Sequence, residues 1–246
     1  MKEEEKRKIY EFCIEKSSIS VKQIVDLLNV SAATARRLLQ EMEDEGILRR
    51  FYGGAVINEE QYSQKNRYVK TFLQKDEKNR IARLAASLVE PKDVIYIDGE
   101  STTASKIIDY ISVRDCTVVT IGVQNIIRLG ERNIRCYSTG GYFDRTTSVL
   151  IDNDTIQNLK KLTFTKAFVG CTGMHEKAGF TTSTEKGAIN KAVLEAAINP
   201  FVVVDSSKFN TVSSYKMADI SYPFVITDQY PENFNCKLLR KLYIAK

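Results

Sequence analysis

Histidine occurs once in the 246 residues, at His175, so a histidine-rich metal centre is excluded. The five cysteines (Cys13, Cys116, Cys136, Cys171 and Cys236) are odd in number, and the closest two lie 20 residues apart, so no C-x-x-C metal or redox pair exists. Most of them read as small apolar residues of the interior, and no metal is expected. Glycine and proline are scarce, 12 and 4. With 43% hydrophobic and 27% charged residues, this excludes disordered, collagen-like and low-complexity chains. No apolar run approaches the ~20 residues of a membrane span, and the charged start Met1-Lys-Glu-Glu-Glu-Lys-Arg-Lys8 lacks the apolar stretch of a signal peptide. A cytoplasmic protein with no membrane partner is expected. The strings G-x-x-x-x-G-K-[ST] and G-x-G-x-x-G are absent too, so no nucleoside triphosphate or dinucleotide motif is present.

The length exceeds the ~100–200 residues of one domain, so two domains, or one large domain with an appendage, are expected. A formal net charge of +5 is a small bias, and its distribution says more than its sum. Residues 1–56 hold ten Lys or Arg against ten Asp or Glu. Residues 61–80 hold six basic residues (Lys65, Arg67, Lys70, Lys75, Lys78, Arg80) against Asp76 and Glu77, a net of +4. Any DNA-binding role must therefore rest on local pattern.

Ile9, Phe12 and Cys13 recur at helical spacing and predict an amphipathic helix over residues 3–16. Ser20-Val-Lys-Gln23 has the form of a capping box, and Ile24, Leu27 and Leu28 continue the apolar stripe. Asn29-Val30 breaks this second helix. Ser31 can cap a third, lined by Ala35, Leu38, Leu39 and Met42 and ended by Gly46. Ile47-Leu-Arg-Arg-Phe51, a turn at Tyr52-Gly53-Gly54 and Ala55-Val-Ile57 then read as a two-stranded hairpin. This is the order of a winged helix–turn–helix, whose second helix of the pair enters a DNA groove. Thr34, Arg36 and Arg37 sit early in that helix, where groove contacts fall. Glu41, Glu43, Asp44 and Glu45 close it, and phosphates would repel them, so the N-terminal half should enter the groove. Arg49 and Arg50 would flank it as phosphate contacts. A solvated helix on a small bundle is the alternative at this point.

After a polar stretch read as a linker, helical patterns (Ile81, Leu84, Ala85, Leu88; then 103–111, 124–130, 185–198) alternate with short β-rich runs at 94–97, 117–120, 167–170, 201–204 and 224–227. Such alternation predicts an α/β domain with a mostly parallel sheet. Asp98-Gly-Glu-Ser-Thr-Thr103 follows a strand and opens a helix, so N–H groups, hydroxyls and a helix N-terminus converge where an anion could sit. A capped turn that holds no ligand would carry the same residues. At another strand end, Asp205-Ser-Ser-Lys208 offers a cation suited to phosphate and a carboxylate suited to sugar hydroxyls. Turns at Gly140-Gly141, Gly170-Cys-Thr-Gly173 and Gly179-Phe-Thr-Thr182 bring backbone close to the same sheet edge.

These segments resemble the DeoR-type transcriptional regulators. In the first half the match lies in Val21-Lys-Gln-Ile-Val-Asp-Leu-Leu-Asn-Val-Ser31, Thr34-Ala-Arg-Arg37 and Gly46-Ile-Leu-Arg-Arg-Phe-Tyr-Gly-Gly-Ala55. Ala35 stands where an isoleucine is usual, Leu38 where an aspartate is usual, and Tyr52 replaces a common histidine. The second half is similar to the family's sugar-phosphate-sensing domain, related to ribose-5-phosphate isomerases and CoA transferases, through the Asp98 string, Thr117-Val-Val-Thr120, Gly140-Gly141, the Gly170 and Gly179 turns and Asp205-Ser-Ser-Lys-Phe209. Ile121 and Glu100 depart from its pattern, and Glu185-Lys186 echoes it loosely. The resemblance implies DNA contacts at Ser31, Thr34, Arg36, Arg37, Arg49, Arg50 and Tyr52. It implies an effector site with phosphate held by Ser101, Thr102, Thr103 and Lys208, sugar near Asp98, Glu185 and Asp205, and backbone supplied by Gly140 and Gly141.

The expectation is a winged helix–turn–helix over residues 1–57, a linker over 58–75 and an α/β sensing domain over 76–246. Such a chain would regulate transcription, as a homo-oligomeric repressor of carbohydrate genes that binds double-stranded operator DNA and is controlled by a phosphorylated sugar, without a cofactor. The alternative from another class is a sugar-phosphate isomerase with a winged-helix appendage, for which Asp98, Glu185, Asp205 and Lys208 would supply acid and base groups.

Overall fold

The computed structural model describes residues 2–57 and 74–246, without the side chains of residues 2, 3, 14, 15, 184 and 185. The chain forms two compact units, Met1–Leu73 and Gln74–Lys246.

In the first unit, α1 (Lys2–Lys16), α2 (Val21–Leu28) and α3 (Ala32–Asp44) precede a hairpin of β2 (Leu48–Phe51) and β3 (Gly54–Ile57). The capping box forms as its residues dictate: Gln23 N–H donates to Ser20 Oγ (3.2 Å), and Ser20 N–H donates to Gln23 Oε1 (2.8 Å). Asn29, left-handed at φ 52°, ends α2. Ile9, Cys13, Ile24, Ala35, Leu38, Leu39, Met42 and Leu48 close a single core. The expected two-stranded hairpin is a three-stranded sheet, because β1 (Ser18–Ser20) adds antiparallel to β3 with buried Ile19 opposite Ala55. Three residues are too few for alternation to announce a strand.

Residues 58–73 of the expected linker lie outside the described residues, and Lys75 already opens α4 (Lys75–Ser87). The second unit continues with β4 (Val94–Ile97), α5 (Thr102–Tyr110), β5 (Thr117–Val119), α6 (Val123–Glu131), β6 (Arg135–Tyr137), the hairpin β7 (Tyr142–Asp144) and β8 (Val149–Ile151), and α7 (Thr155–Lys160). It ends with β9 (Phe164–Val169), β10 (Gly173–His175), β11 (Gly179–Thr182), α8 (Thr184–Glu195), β12 (Ala197–Val203), β13 (Tyr215–Ala218), β14 (Phe224–Thr227) and β15 (Leu242–Ile244). Seven strands form one sheet in the order β15-β14-β12-β9-β4-β5-β6, every pair parallel. Both faces are covered, as a parallel sheet requires. Ile95 and Ile97 of β4 join a core with α4 and α5, while Tyr96 between them joins the opposite core with Val193 and Leu194 of α8. Beside this sheet stands a smaller antiparallel one, β10-β11-β13.

The chain runs from β4 outward through β5 to β6, then returns to the other flank of β4 as β9 and moves away through β12. Strand order therefore reverses between β4 and β9, and the crevice at the carboxyl ends of such strands is where open α/β sheets bind ligands.

Candidate DNA-reading helix and effector site

In the first unit α3 divides cleanly. Ala35, Leu38, Leu39 and Met42 are buried, whereas Ser31, Arg36, Arg37 and Gln40 are exposed. Ser31 caps the helix, accepting from Thr34 N–H (3.1 Å), and its hydroxyl meets Thr34 Oγ1 at 3.0 Å. Ala35 and Leu38, the departures from the family pattern, both face the core. Arg37 lies 3.8 Å from Glu41, so part of its charge is compensated, while Arg36 and Arg49 have no ion-pair partner among the described residues. Arg50 behaves differently from Arg49. Its N–H donates to Glu43 Oε1 (2.9 Å), its guanidinium donates to Gln40 Oε1, and it lies 4.0 Å from Glu43 Oε2. Those contacts brace the wing against α3. Tyr52 stands fully exposed at the wing tip beside Gly53 at φ 90°, and Val21 N–H donates to Gly53 O (2.9 Å), anchoring that turn to α2.

The acidic end of α3 is managed by Lys6 of α1, which bonds Glu45 (2.7 Å) and lies 3.5 Å from Glu41. Burial pulls the Lys6 ammonium down, but the Glu45 and Glu41 carboxylates outweigh it and raise it above the ordinary range. Sequence pattern missed Lys6, because a lysine in so charged a helix gives no sign of being buried.

In the second unit the residues around Asp98 interlock. Asp98 Oδ1 accepts the N–H of Glu100 (2.9 Å) and of Ser101 (3.2 Å). Its Oδ2 accepts Gly170 N–H (3.0 Å) and the Lys186 ammonium (2.8 Å). Burial would raise this carboxyl, yet Lys186 and the N–H donors outweigh burial and lower it below the usual carboxylate range. Asp98 is thus fully engaged in the wall of the crevice. Asn190 of α8 donates to Gly170 O (3.2 Å), and Asn125 of α6 donates to Asp98 O (3.4 Å) and Thr120 Oγ1 (3.2 Å). The turns are packed backbone to backbone: a Cβ on Gly122 would lie 2.6 Å from Gly99 Cα, and one on Gly170 would lie 2.3 Å from Ser101 Oγ.

Ser101 caps α5 by accepting from Ala104 N–H (3.1 Å), Thr102 is half-buried, and Thr103 is buried. One strand further, Asp205 Oδ1 accepts Ser207 N–H (3.2 Å) and Asp228 Oδ1 accepts Ser206 N–H (2.7 Å), which fixes the short 3-10 turn Ser206–Lys208. Cys171 reports what surrounds this corner. Burial pushes its thiol up to about 12, the Lys208 and Lys186 ammonium groups pull it down, and Asp205 adds to the rise. Both lysines therefore stand within electrostatic reach of the end of β9. Sequence reading gave Lys186 no role; its position in the first turn of α8, after Ser183, was the available signal.

Asp98 and Ser101 lie at the end of β4 and Asp205 and Lys208 at the end of β12, the two strands that flank β9, while the Glu185 side chain lies outside the described residues. Gly140 and Gly141 follow the carboxyl end of β6, two strands from β4, and turn the chain into β7, with φ of 76° and 116° and a Cβ at 141 only 2.8 Å from Ile151. Among the described residues no group of three or more His, Cys, Asp or Glu could hold a metal, and no helix is long and apolar enough to cross a membrane.

A winged helix–turn–helix joined to a parallel α/β unit with an anion-compatible crevice is the architecture of a ligand-controlled DNA-binding regulator. Residues 6–61 match the DeoR-like helix-turn-helix domain and residues 73–229 the DeoR C-terminal sensor domain, and the chain belongs to the DeoR family. It is 32% identical to the HTH-type transcriptional regulator FruR of Bacillus subtilis strain 168 over 87% of this chain and 86% of that protein. It is equally 32% identical to the lactose phosphotransferase system repressor of Staphylococcus epidermidis over 78% of each. Among solved structures, ribose 5-phosphate isomerase A of Methanocaldococcus jannaschii is similar over 55% of each chain, at 19% identity and a TM-score of 0.41.

Proposed function

We propose that this chain represses genes of carbohydrate uptake or breakdown and releases its operator when a phosphorylated sugar enters the crevice at the ends of β4, β9 and β12. The observation that carries this reading is the gathering of Lys186, Lys208 and the N-termini of α5 and α8 around one strand reversal. Lys208 is half-buried and has no side-chain partner among the described residues, so it is the cation left to meet a phosphate. Ser101 and Thr102 lie at the end of β4, on the other side of β9 from Lys208. The relative named for a lactose phosphotransferase system supports a sugar-uptake target.

A sensor fits the geometry better than an isomerase with an appended winged helix. Asp98, one of the candidate acid and base groups, is taken up by N–H groups of its own turn, by Gly170 N–H and by the Lys186 ammonium, which leaves it unfit to move a substrate proton. One recognition helix reads only a few base pairs, so the chain binds two half-sites as a homo-oligomer.

A panel of sugar phosphates, read by thermal shift and by operator affinity, tests the reading. One member should raise the melting temperature and weaken DNA binding, and linkage requires the operator to weaken that sugar by the same factor, typically ~1–3 kcal/mol. Lys208→Ala should abolish the response in a folded protein. A panel without effect on either readout would remove the sensor claim, and aldose–ketose turnover of any member would revive the enzyme.

A further inference from the structure

The hairpin β7–β8 stands apart from the seven-stranded sheet. Its inner strand is held by the loop after β5: Leu150 N–H donates to Ile121 O (2.8 Å), Val123 N–H donates to Ser148 O (3.1 Å), and Val149 bridges Gly122. Its outer strand β7 pairs with β8 alone among the described residues, so one edge of β7 offers unpaired N–H and C=O groups. On that strand Tyr142 is 84% exposed and Phe143 53%, although neighbours on a strand point to opposite faces. Both faces of the ribbon thus display an aromatic ring to water. Tyr137, which ends the sheet's edge strand β6, is 49% exposed a few residues earlier. A two-stranded ribbon of this kind is marginal in water and gains stability from further strands.

We propose that a second copy of this chain docks here, β7 against β7 across a twofold axis, joining two hairpins into one four-stranded antiparallel sheet. The proposal rests on the homo-oligomer reading above and names its surface. A twofold makes an antiparallel strand edge complementary to itself, with no further partner to find. Charge permits it: Asp144 and Arg145 are the sole charged residues between 137 and 151, so the patch is neutral and two copies do not repel. Area supports it as well, since Tyr142 and Phe143 together expose on the order of 300 Å², more than a third of the ~800 Å² that a standard interface takes from each partner. Added strands would cover both Tyr142 and Phe143, which a flat partner on one face could not do. The site is also placed to respond to an effector. The loop that holds β8 contains Gly122, whose backbone packs against Gly99 in the Asp98 turn.

Sedimentation of the full chain at micromolar concentration, with and without Tyr142→Lys plus Phe143→Lys, tests the proposal. The wild type should be oligomeric, and the double variant should have half its mass with an unchanged circular dichroism spectrum, because both side chains are exposed. Amide exchange at residues 142–144 of the wild type, which needs no variant, should slow as concentration rises. An unchanged mass in the double variant, exchange independent of concentration, or a wild type that is monomeric throughout would each overturn the docking surface. Half-site DNA affinity and the sugar response, measured on the same samples, report on the regulator reading separately and would survive that outcome.

Discussion

The two units present their candidate functional side chains in opposite ways. In the first, Arg36, Arg37, Arg49 and Tyr52 stand in water on a scaffold whose core is made by other residues. In the second, Asp98, Asn125 and Asn190 are buried and hold the very turns that shape the crevice. Affinity and stability should therefore be separable in the DNA-reading unit and inseparable around Asp98.

The strongest way to break that contrast is to remove the cation from the buried pair. Lys186→Met leaves the Asp98 carboxylate buried without its ammonium partner, which should cost about 3–5 kcal/mol, read as loss of the second unit's denaturant midpoint. Asp98→Asn added to Lys186→Met should recover part of that loss. The pH dependence follows from the lowered Asp98 carboxyl. Its folded-state value lies below its unfolded one, so its contribution is fully present above the unfolded value near ~3.9 and is lost as pH falls through the folded value. Acid titration of the wild type and of the double variant should diverge in that window, and parallel curves would dissociate Asp98 from stability.

Next in size is Gly170→Ala. The added methyl would lie 2.3 Å from Ser101 Oγ and 3.7 Å from Asp98 Oδ2, so it must displace the cap of α5. Overpacking of this kind costs about 1–3 kcal/mol. The same variant should blunt the sugar response, since it moves a turn of the proposed effector crevice. A full response at wild-type stability would mean the crevice tolerates more slack than its packing implies.

How far each unit can be read from sequence follows the same division. Capping box, apolar stripe and paired arginines are local signals within ten or so residues, so α2, α3 and the wing were legible, as were the five central strands as short apolar runs. Contacts that cross the chain were not. Lys186 reaches Asp98 over 88 positions and Asn190 reaches it over 92, and no periodicity encodes such a meeting. The short edge strands β6 and β15 and the antiparallel β10, β11 and β13 escaped for another reason: three or four residues beside turns carry too little alternation.

On the exposed side of the comparison, Arg36→Ala plus Arg37→Ala should leave the thermal midpoint of the first unit almost unmoved, since surface substitutions stay within about 0.5 kcal/mol. Operator affinity should fall by ~1–3 kcal/mol for each arginine that reads a base. A variant that lost stability and affinity together would move α3 into the class of the Asp98 network. Unchanged affinity and an unchanged salt slope would remove α3 as the reading helix.

The smallest effect separates Arg49 from its neighbour. Arg49 is exposed and has no ion-pair partner among the described residues, so Arg49→Ala should weaken all DNA sequences alike and lower the salt slope by about 1, with no cost to folding. Arg50 spends its guanidinium on Gln40 and lies against Glu43, so Arg50→Ala removes a brace between wing and helix. Its cost should be seen first in stability, at up to about 1 kcal/mol for a half-exposed polar contact, with the salt slope nearly unchanged. The two adjacent arginines of one strand thus carry the contrast between the units in miniature. Salt titrations of operator binding beside urea melts of the same two variants decide it, and equal salt slopes would show that Arg50 swings free of α3 when DNA is present.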